Sequence, residues 1–500
     1  MARWLHLTAV ASRRVARWIA FAIASLIALT AAIALGFTLY AVSALPDLQP
    51  WHTERLDSEF SALAHGSIDF DGYLQREAKL FDELHARRAG WIDRGEAFIS
   101  SRFNPGGALQ RLADDAPLNR TTQWRAAQPV GAALLIHGLT DSPYSVKALA
   151  ETLHARGFDV VALRLPGHGT LPSMMTEMSF ADWNAAVRIA ASAAALRAPP
   201  GAPFYIGGYS TGGTLSLLYA LETLTDPALR RPDRVLLVSP AITLTPVAAL
   251  ANVIDFMSVV PIPVLEKVRW QEVLPEFDPY KFNSFPVNAS RQVNRATRAL
   301  QRALARALDS GAIVRMPPVV AWQSIVDSTV GATGTVDVLF SRLSGSQHLL
   351  VLFDVNRNSA LRSIQRPAAH ELIERTLRGR PAHTVDVVAN AGESSEDIIV
   401  ARVTPDGVRT ERRTALVWPR NVVSLGHVAL PFRPDDPVYG VQAGSGRDGI
   451  PSIGSWLLRG ESGATTISLG ALTRLRSNPF WPLIEQQLNA LVDLDFAASR

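Results

Sequence analysis

Residues 204–214 read FYIGGYSTGGT, and this stretch decides the fold. An apolar run, Phe204–Gly207, leads into the G-x-S-x-G pentapeptide Gly208–Gly212, and a helical pattern begins at Thr214. A strand that turns sharply into a helix holds a serine in a strained, exposed position, and flanking glycines let the backbone approach without a Cβ clash. The pattern predicts Ser210 as a nucleophile. A purely structural glycine turn is the alternative, whereas a phosphate loop is excluded because no Gly-Lys-Ser/Thr sequence follows.

The sequence on both sides of this stretch alternates between apolar strands and helices. Continuous apolar strands separated by helices imply an α/β fold, in which a mostly parallel sheet is covered by helices on both faces. The predicted strands are Ala132–Ile136, Asp159–Leu165, Phe204–Gly207, Arg234–Val238 and Val319–Val326. The predicted helices are Ser145–Arg156, Phe180–Arg197, Thr214–Leu224, Val336–Leu343 and a last one from Pro482 to about Leu494.

Two segments interrupt this alternation. Residues 242–316 hold an apolar, proline-broken part, Val247–Val264, and then Arg291–Leu308, whose arginines and leucines fall on opposite helical faces. We interpret this second part as a lid helix with a solvated arginine face, and contact with anionic lipid headgroups is the alternative. Residues 358–418 form the other interruption. It contains a predicted helix at Ala368–Leu377 and predicted strands at Ile398–Val403 and Thr414–Trp418.

The loop His137–Thr140 follows the strand Ala132–Ile136, at the carboxyl edge of the sheet where α/β proteins bind ligands. The backbone N–H of Leu139 is predicted to pair with that of Thr211 as an oxyanion hole. Such donors are each worth about 3–4 kcal/mol in the transition state. We interpret His137 as a structural histidine that fixes the loop, rather than as a proton carrier.

The stretch LLIHGLTDSPYSVKALAETLHARGFDVVALRLPGHGT, residues 134–170, together with GYSTG, resembles the α/β-hydrolase superfamily. It is most similar to the carboxylesterase and monoacylglycerol-lipase branch. The resemblance is strong over about residues 130–245, moderate around 318–357 and 419–440, and absent before residue 118. It implies an α/β-hydrolase fold, a triad in the order Ser, Asp, His, and a helical lid inserted after the strand Arg234–Val238. Residues 242–316 occupy that lid position.

The acid of such a triad lies just beyond the strand that follows the lid. Asp327 follows Val319–Val326, and an aspartate there orients the imidazole and stabilises its charged form. A helix N-cap or turn aspartate is the alternative role for Asp327. Asp354, at the end of the apolar run Leu349–Phe353, is the rival acid.

The base should come later in the chain. The histidines found there are His348, His370, His383 and His427. His348 lies before a predicted strand, His370 in a helical run and His383 in a polar connection. His427 is preferred because its loop, Ser424–Val428, follows a predicted strand. It lies 100 residues beyond Asp327, against about 30 for one helix-plus-strand unit. Residues 358–418 are therefore predicted to lie between the last core strand and the His427 loop.

These assignments predict a serine hydrolase that cleaves carboxylic esters. His427 takes the proton of Ser210 as the hydroxyl attacks the carbonyl, the amides of Leu139 and Thr211 hold the oxyanion, and water releases the acyl group. An apolar lid and an apolar N-terminus favour an acylglycerol or similar lipid ester. Acyl transfer, peptide hydrolysis and a non-catalytic, membrane-tethered binding protein on the same fold are the alternatives.

The N-terminus predicts the location of the protein. Residues 18–45 contain no charge and are long enough to span a membrane as a tilted helix. Four arginines precede this span, so residues 1–17 are predicted to be cytoplasmic and the catalytic domain to lie outside the cytoplasm, as in the periplasm. A cleavable signal peptide ending near Val42-Ser43-Ala44 is the alternative, although its apolar core is typically only about 7–15 residues.

The remaining chain divides into two predicted parts, and its composition limits the partners. Residues 46–128 are predicted to form a polar helical arm, and residues 129–500 the hydrolase domain. The absence of cysteine excludes disulfides, thiolate metal sites and a cysteine nucleophile. A net charge of only +4, with cations scattered among acids, gives no nucleic-acid footprint. No metal motif appears, so neither a metal nor another cofactor is predicted, and the sequence makes no prediction of oligomeric state.

Overall fold

The computed structural model of the protein describes residues 2–43, 45–91, 98, 100–243, 266–365, 368–378, 380–441, 453–455, 470 and 473–498. Its helices are α1 Ala2–Ser43, α2 Pro50–Thr53, α3 Ala62–His65, α4 Phe70–Ala89, α5 Ala108–Asp115, α6 Lys147–Ala155, α7 Phe180–Ala195, α8 Thr211–Glu222, α9 Val287–Asp309, α10 Ala368–Arg378 and α11 Trp481–Ala498. Its strands are β1 Thr122–Trp124, β2 Gly131–Ile136, β3 Phe158–Leu163, β4 Phe204–Tyr209, β5 Arg234–Val238, β6 Trp270–Glu272, β7 Phe285–Pro286, β8 Val319–Ser324, β9 Gly345–Phe353, β10 His383–Asn390, β11 Asp397–Val403 and β12 Arg409–Val417. Short 3₁₀ turns include Pro143–Val146, Pro172–Thr176, Phe340–Arg342 and His427–Ala429, and Gly334–Leu339 is a short π-helix.

The described strands form one ten-stranded sheet and a separate β6–β7 pair. The order across the large sheet is β1-β3-β2-β4-β5-β8-β9-β10-β11-β12. The strands from β3 to β10 in this order run parallel, whereas β1, β11 and β12 are antiparallel to their neighbours. The predicted mostly parallel sheet is therefore confirmed.

The central strands are buried on both faces, which explains their continuous apolar runs. Every residue of β2 is buried. Because side chains alternate along a strand, Leu134 and Ile136 enter the core beneath α7, α8 and α9, whereas Ala133 and Leu135 enter the core beneath α6 and α11. The carboxyl ends of the parallel strands meet at one edge, and the candidate site lies there.

The described part of the predicted lid insertion packs against the domain. The apolar run Val247–Val264 lies outside the described residues. In α9, the face that carries Val293, Leu300 and Leu304 joins the core beneath α7 and α8, and arginines such as Arg302 are exposed. The amphipathic helix with a solvated arginine face is confirmed. Among the described residues it is a helix that flanks the sheet, because its apolar face is part of the main core, and they do not show a lid.

Residues 356–423 extend the sheet beyond β9. The helix α10 and the strands β11 and β12 match the predictions for the second insertion. The strand β10, which pairs in parallel with β9, was predicted as a polar connection. Its polar centre is Asp386, which is buried and accepts hydrogen bonds from the Arg402 guanidinium at 2.6 and 2.8 Å. A paired carboxylate is thus the reason that a sequence with polar residues forms an interior strand.

The described residues from 50 to 121 pack against the domain, although the sequence predicted a polar arm. Arg164, in the loop after β3, has a side chain only 1% exposed. Its guanidinium donates to both carboxylate oxygens of Glu59, at 2.9 and 3.0 Å, and lies 3.5 Å from Glu77 of α4. Tyr73 donates a 2.7 Å hydrogen bond to the carbonyl of Arg164. A buried guanidinium requires such partners, so the acidic residues of this segment face inward.

The predicted membrane anchor, residues 18–45, lies in α1 as far as Ser43. Its described apolar side chains, including Trp18, Phe21 and Leu26, are exposed. Over the residues that the structure describes, however, no helix combines the length and the apolar character that a membrane span needs. The transmembrane part of the predicted fold is therefore not supported by the structure.

Candidate active site

Ser210 occupies a sharp turn between β4 and α8. Its φ of 54° and ψ of −118° lie in a region that residues other than glycine rarely adopt. The turn is possible because the residues two positions before and after Ser210 are glycines. A Cβ on Gly212 would lie 2.0 Å from the carbonyl oxygen of Ile136, and one on Gly208 would lie 2.4 Å from the carbonyl carbon of Gly212. The backbone N–H of Ser210 donates to Val238 of the neighbouring strand at 3.0 Å. Strain of this kind is held by the surrounding structure and is typical of functional positions.

The loop after β2 lies against the first turn of α8. The close approach of Gly212 to the carbonyl oxygens of Ile136 and His137 brings the two segments together. Leu139 and Thr211, the two predicted oxyanion donors, therefore lie on adjacent segments. Thr211 is the first residue of α8, where backbone N–H groups have no acceptor within the helix. Their role as oxyanion donors stays a prediction.

His137 ties this loop to the loop after β3. Its Nε2 accepts from the backbone N–H of Leu165 at 3.0 Å, so its Nδ1 carries the proton and donates to the carbonyl of Gly138 at 2.7 Å. Burial lowers the pKa of His137 well below its usual range, and neighbouring His168 lowers it further. Both ring nitrogens are engaged with backbone groups, as expected of a structural histidine.

Asp327 and His427 are brought together at the carboxyl ends of β8 and β9. The Nδ1 of His427 donates to Oδ2 of Asp327 at 2.8 Å, and both side chains are buried. Ser239 also donates to Oδ2 at 2.6 Å, and the backbone N–H groups of Thr329 and Val330 donate to Oδ1 at 2.8 and 3.1 Å. These contacts define one orientation for the carboxylate and one for the imidazole.

The charge state of Asp327 follows from these contacts. Burial by itself raises the pKa of this carboxyl, but the charge of His427 and the hydrogen bonds from His427, Ser239 and Val330 outweigh it. The pKa is held well below its usual range. Asp327 therefore remains an acceptor for the imidazole over the whole neutral range.

His427 also lies against the residue that precedes Ser210. The rings of Tyr209 and His427 are 4.9 Å apart between centroids, and the Tyr209 hydroxyl donates to the carbonyl of His427 at 3.3 Å. The hydroxyl of Ser324, the last residue of β8, donates to the carbonyl of Leu425 at 2.7 Å. The His427 loop is thus fixed to both the nucleophile strand and the acid strand.

The 100-residue separation of Asp327 and His427 is explained by an excursion of the chain. Val355, just beyond β9, forms an isolated antiparallel bridge with Ser424. The backbone N–H of Asn356 donates to Val423 at 2.8 Å, and its side-chain amide donates to Val422 at 3.1 Å. Residues 356–423 therefore leave the end of β9 and return to it at one place, and His427 follows directly.

The rival candidates lie elsewhere or have other partners. Asp354 accepts from the backbone N–H of Val355 at 2.8 Å and is paired with the Arg357 guanidinium. His348 accepts from the backbone N–H of Val319 at 3.1 Å, at the start of β8 and thus at the opposite edge of the sheet. His383 begins β10, whose start is paired with the start of β9, and so also lies at that edge. The side chain of His370 lies outside the described residues.

A cavity of about 240 Å³ lies beside these residues. It is bordered by Tyr209 and Val428, the chain neighbours of Ser210 and His427. The other walls are aromatic and charged, and the side chains that form them include Phe277, Phe282, Phe432, Tyr439, Asp141, Asp278, Glu272, Lys281, Arg474 and Arg476. A pocket of this composition accepts a ligand with both polar and apolar parts.

Sequence reasoning did not identify Asp141 and Lys281, which join the walls of this cavity. The ammonium of Lys281 lies 3.4 Å from Oδ1 of Asp141, and the N–H of Phe282 donates to the carbonyl of Thr140 at 2.8 Å. Thr140 has a φ of 64°, which is unusual for a residue other than glycine. Burial raises the pKa of Asp141, and Lys281 and His427 partly offset the effect. One available signal was that Asp141 follows closely on the end of β2.

No group of three or more carboxylate or imidazole side chains is arranged to hold a metal ion within the described part of the chain. The chemistry that these residues can perform is nucleophilic attack by a hydroxyl with proton transfer to an imidazole.

Parts of this chain are similar to known proteins. A monoacylglycerol lipase from Bacillus sp. (strain H-257), described as thermostable, is 39% identical over 92 residues, which are 18% of this chain. The chain spans only 35% of the length of that relative. A solved structure from work on LipS and LipT, two metagenome-derived lipolytic enzymes, has 20% identity and a TM-score of 0.38, and the match covers 48% of this chain and 89% of that one. A monoacylglycerol lipase from Paleococcus ferrophilus has 19% identity and a TM-score of 0.34 over 51% of this chain and 99% of that one.

The sequence profile of one family matches more than half of the chain. The match covers residues 133–402, from within β2 to within β11, and the family is described as alpha/beta hydrolases. The protein belongs to the alpha/beta hydrolase family.

Proposed function

We propose that the protein is a serine hydrolase that cleaves carboxylic esters, with Ser210, His427 and Asp327 as its triad. The observation that carries the proposal is the 2.8 Å hydrogen bond from His427 to Asp327, formed beside the strained turn at Ser210. Ser210 follows β4, Asp327 follows β8, and His427 follows residues 356–423. The catalytic order along the chain is therefore Ser, Asp, His.

The proposed mechanism follows from the position of each proton. Because Nδ1 of His427 donates to Asp327, its Nε2 is the free base that takes the proton of Ser210. The Ser210 oxygen attacks the ester carbonyl, and the backbone N–H groups of Leu139 and Thr211 stabilise the oxyanion. His427 returns the proton to the departing alcohol, and water activated by the same imidazole hydrolyses the acyl-enzyme.

We assign the substrate to esters with an acyl chain, such as a monoacylglycerol. Two features support this assignment: the 92-residue similarity to a monoacylglycerol lipase, and a cavity wall that combines Phe277, Phe282 and Phe432 with charged groups. The apolar wall suits an acyl chain, and the charged part suits a hydroxylated leaving group.

Covalent labelling tests the nucleophile. A fluorophosphonate probe should label the full chain and stop hydrolysis of p-nitrophenyl esters. Ser210→Ala should lose the label and lower kcat by about 10⁶-fold, as loss of a triad serine does elsewhere. Ser216→Ala, a matched control in the same helix whose hydroxyl donates only to the carbonyl of Gly212, should retain both. Retention of activity by Ser210→Ala would refute the assignment.

The same preparation separates the alternative functions. A series of p-nitrophenyl esters from acetate to palmitate gives the preferred acyl length. Transfer of the acyl group to an added alcohol in preference to water would identify an acyltransferase, and cleavage of peptide amides a peptidase. A chain that neither reacts with the probe nor cleaves any ester would be a non-catalytic binding protein.

We also propose that α1 holds the protein at a membrane, with the catalytic domain outside the cytoplasm. Support comes from the uncharged run 18–45, from the exposure of side chains such as Trp18 and Phe21, and from the arginines that precede the run. The full chain should remain in the membrane fraction after a wash at alkaline pH, and protease added outside spheroplasts should degrade the domain. Recovery of the full chain in the wash would contradict the anchor.

A further inference from the structure

A second cavity, of about 310 Å³, lies between α4 and the loop after β3. It shares none of its lining residues with the cavity beside Tyr209. Its walls come from α4, from residues 102–120 and from Gly169 and Thr170. Any function of this cavity is therefore separate from the proposed hydrolysis.

Positive charge dominates the lining of this cavity. Arg88, Arg102 and Arg120 all contribute to it, together with His85. In the part of the chain that the structure describes, neither Arg88 nor Arg120 forms an ion pair with a carboxylate. The Arg120 guanidinium instead lies 4.2 Å from the centroid of the Phe81 ring.

Two features moderate this charge. Arg102 is buried, and its Nη2 donates to Oδ1 of Asn119 at 3.1 Å. Burial lowers the pKa of Arg102, and Glu276 and Asp278 oppose that effect. The acid that lines the cavity is Asp114, which is exposed and accepts a 2.9 Å hydrogen bond from Gln110. The lining still carries more guanidinium than carboxylate groups.

A buried hydroxyl in the same wall also has no partner. The Thr170 side chain is fully buried, and its Oγ1 forms no hydrogen bond with any described residue. A buried donor without an acceptor is costly in a folded protein, and such a group calls for an explanation. Rotation of the Thr170 side chain toward the cavity would let an acceptor held there supply the missing hydrogen bond.

We propose that this cavity binds a small organic anion through a carboxylate or phosphate group. The planar guanidinium groups of Arg88, Arg102 and Arg120 suit either oxyanion, and the Thr170 hydroxyl donates a further hydrogen bond to it. The rings of Phe81 and Phe103 line the rest of the cavity and accommodate a short apolar group. The ligand class is thus an amphiphilic anion, and the site is formed mainly by residues 81–120 against the loop after β3.

Calorimetric titration of the full chain in detergent tests the proposal. The probes are hexanoate, inorganic phosphate and, as the neutral counterpart of hexanoate, hexanol. Hexanoate or phosphate should bind the wild-type protein. The double variant Arg88→Gln/Arg120→Gln should bind the same probe on the order of tenfold more weakly or worse, as expected when charge-assisted hydrogen bonds are lost. Arg87→Gln is the matched control, because Arg87 neighbours Arg88 on α4 but pairs with Glu83 and Asp57.

The variant Thr170→Val separates binding from folding. Removal of an unpaired hydroxyl with retention of shape should leave the Tm unchanged or raise it, while the affinity for the anion falls several-fold. Equal affinities in Arg87→Gln and the double variant, hexanol binding as tight as that of hexanoate, or no binding of either anion would overturn the proposal. If the double variant does not fold, the affinity of Thr170→Val decides.

Discussion

Two segments added to the core of the domain, residues 50–121 and 356–423, are attached to it in opposite ways. The first contributes Glu59 and Glu77 to the buried guanidinium of Arg164, close to the edge where the candidate site lies. The second adds β10, β11 and β12 to the far side of the sheet and begins and ends at one bridge. The first segment depends on an ion pair with a buried cation of the core, whereas the second depends on strand pairing and apolar contacts with it.

Of the effects that follow, the largest is expected at Asp327, which lies in neither segment. Asp327→Asn should lower kcat for ester hydrolysis by about 10⁴-fold, because an amide cannot hold His427 in the tautomer that leaves Nε2 free to accept a proton. Asp354→Asn is the matched control at the end of the next strand and should retain most activity, since its partner is Arg357. A larger loss of kcat for Asp354→Asn than for Asp327→Asn would identify Asp354 as the acid.

The next effect distinguishes the two segments by stability. Arg164→Gln leaves the buried carboxylate of Glu77 and the partly buried carboxylate of Glu59 without their cation and should lower the free energy of unfolding by about 3–5 kcal/mol. Arg402→Gln in the second segment should cost less, about 1–3 kcal/mol, because Arg402 is half-exposed and Asp386 also accepts from Gln487 at 3.0 Å. Urea denaturation of both variants gives the comparison. Equal losses would show that the two segments depend on the core to the same degree.

The stability of the protein should depend on pH at the contact between the first segment and the wall of the cavity beside Tyr209. The backbone N–H of Arg102 donates to the carbonyl of Glu276 at 2.7 Å. Burial raises the pKa of Glu276 to about 7. A carboxyl with a raised pKa contributes stability that is complete below its unfolded value and is lost as the pH rises through the folded value.

The corresponding measurement compares the wild type with Glu276→Gln, which does not titrate. The difference in unfolding free energy between the two proteins should shift against the wild type by about 3 kcal/mol between pH 4 and pH 8. The change should be concentrated between the two pKa values, and a constant difference would contradict the assignment.

The smallest expected effect concerns the link between Lys281 and the loop after β2. Lys281→Met leaves the nearly buried Asp141 without its cation and loosens the loop that presents Leu139, so kcat/KM should fall about tenfold, or about 1.4 kcal/mol. Lys267→Met is the control, because Lys267 pairs with Asp47. Unchanged kinetics for Lys281→Met would show that the Asp141 contact does not position the loop.

The sequence predicted what is encoded locally. The turn at Ser210 depends on glycines within two residues of it, and β5 was predicted to its exact bounds because Arg234–Val238 is a short apolar run followed by a turn. The pairing of Asp327 with His427 could also be anticipated, since order along the chain and strand ends limited the choice.

Contacts between distant residues were not predictable in the same way. Glu59 and Glu77 lie in a segment that was predicted to be a polar arm. In the structure, their carboxylates face the buried guanidinium of Arg164, about a hundred residues further along the chain. The strand β10 was predicted to be a connection because its sequence contains polar residues such as Asp386. In the structure, Arg402 on the next strand neutralises that carboxylate. A charged residue in a sequence indicates an exposed position only if no oppositely charged side chain pairs with it in the fold. A local sequence pattern does not show whether a distant residue forms such a pair.

The bridge between Val355 and Ser424 also has a consequence for engineering and for divergence. Neighbouring strands lie about 5 Å apart, so the chain can begin and end its excursion here without displacing the His427 loop. Because β10 and β11 pack into the core, the part of the excursion that can accept an insertion, such as a reporter peptide, is the exposed turn at residues 406–408 between β11 and β12.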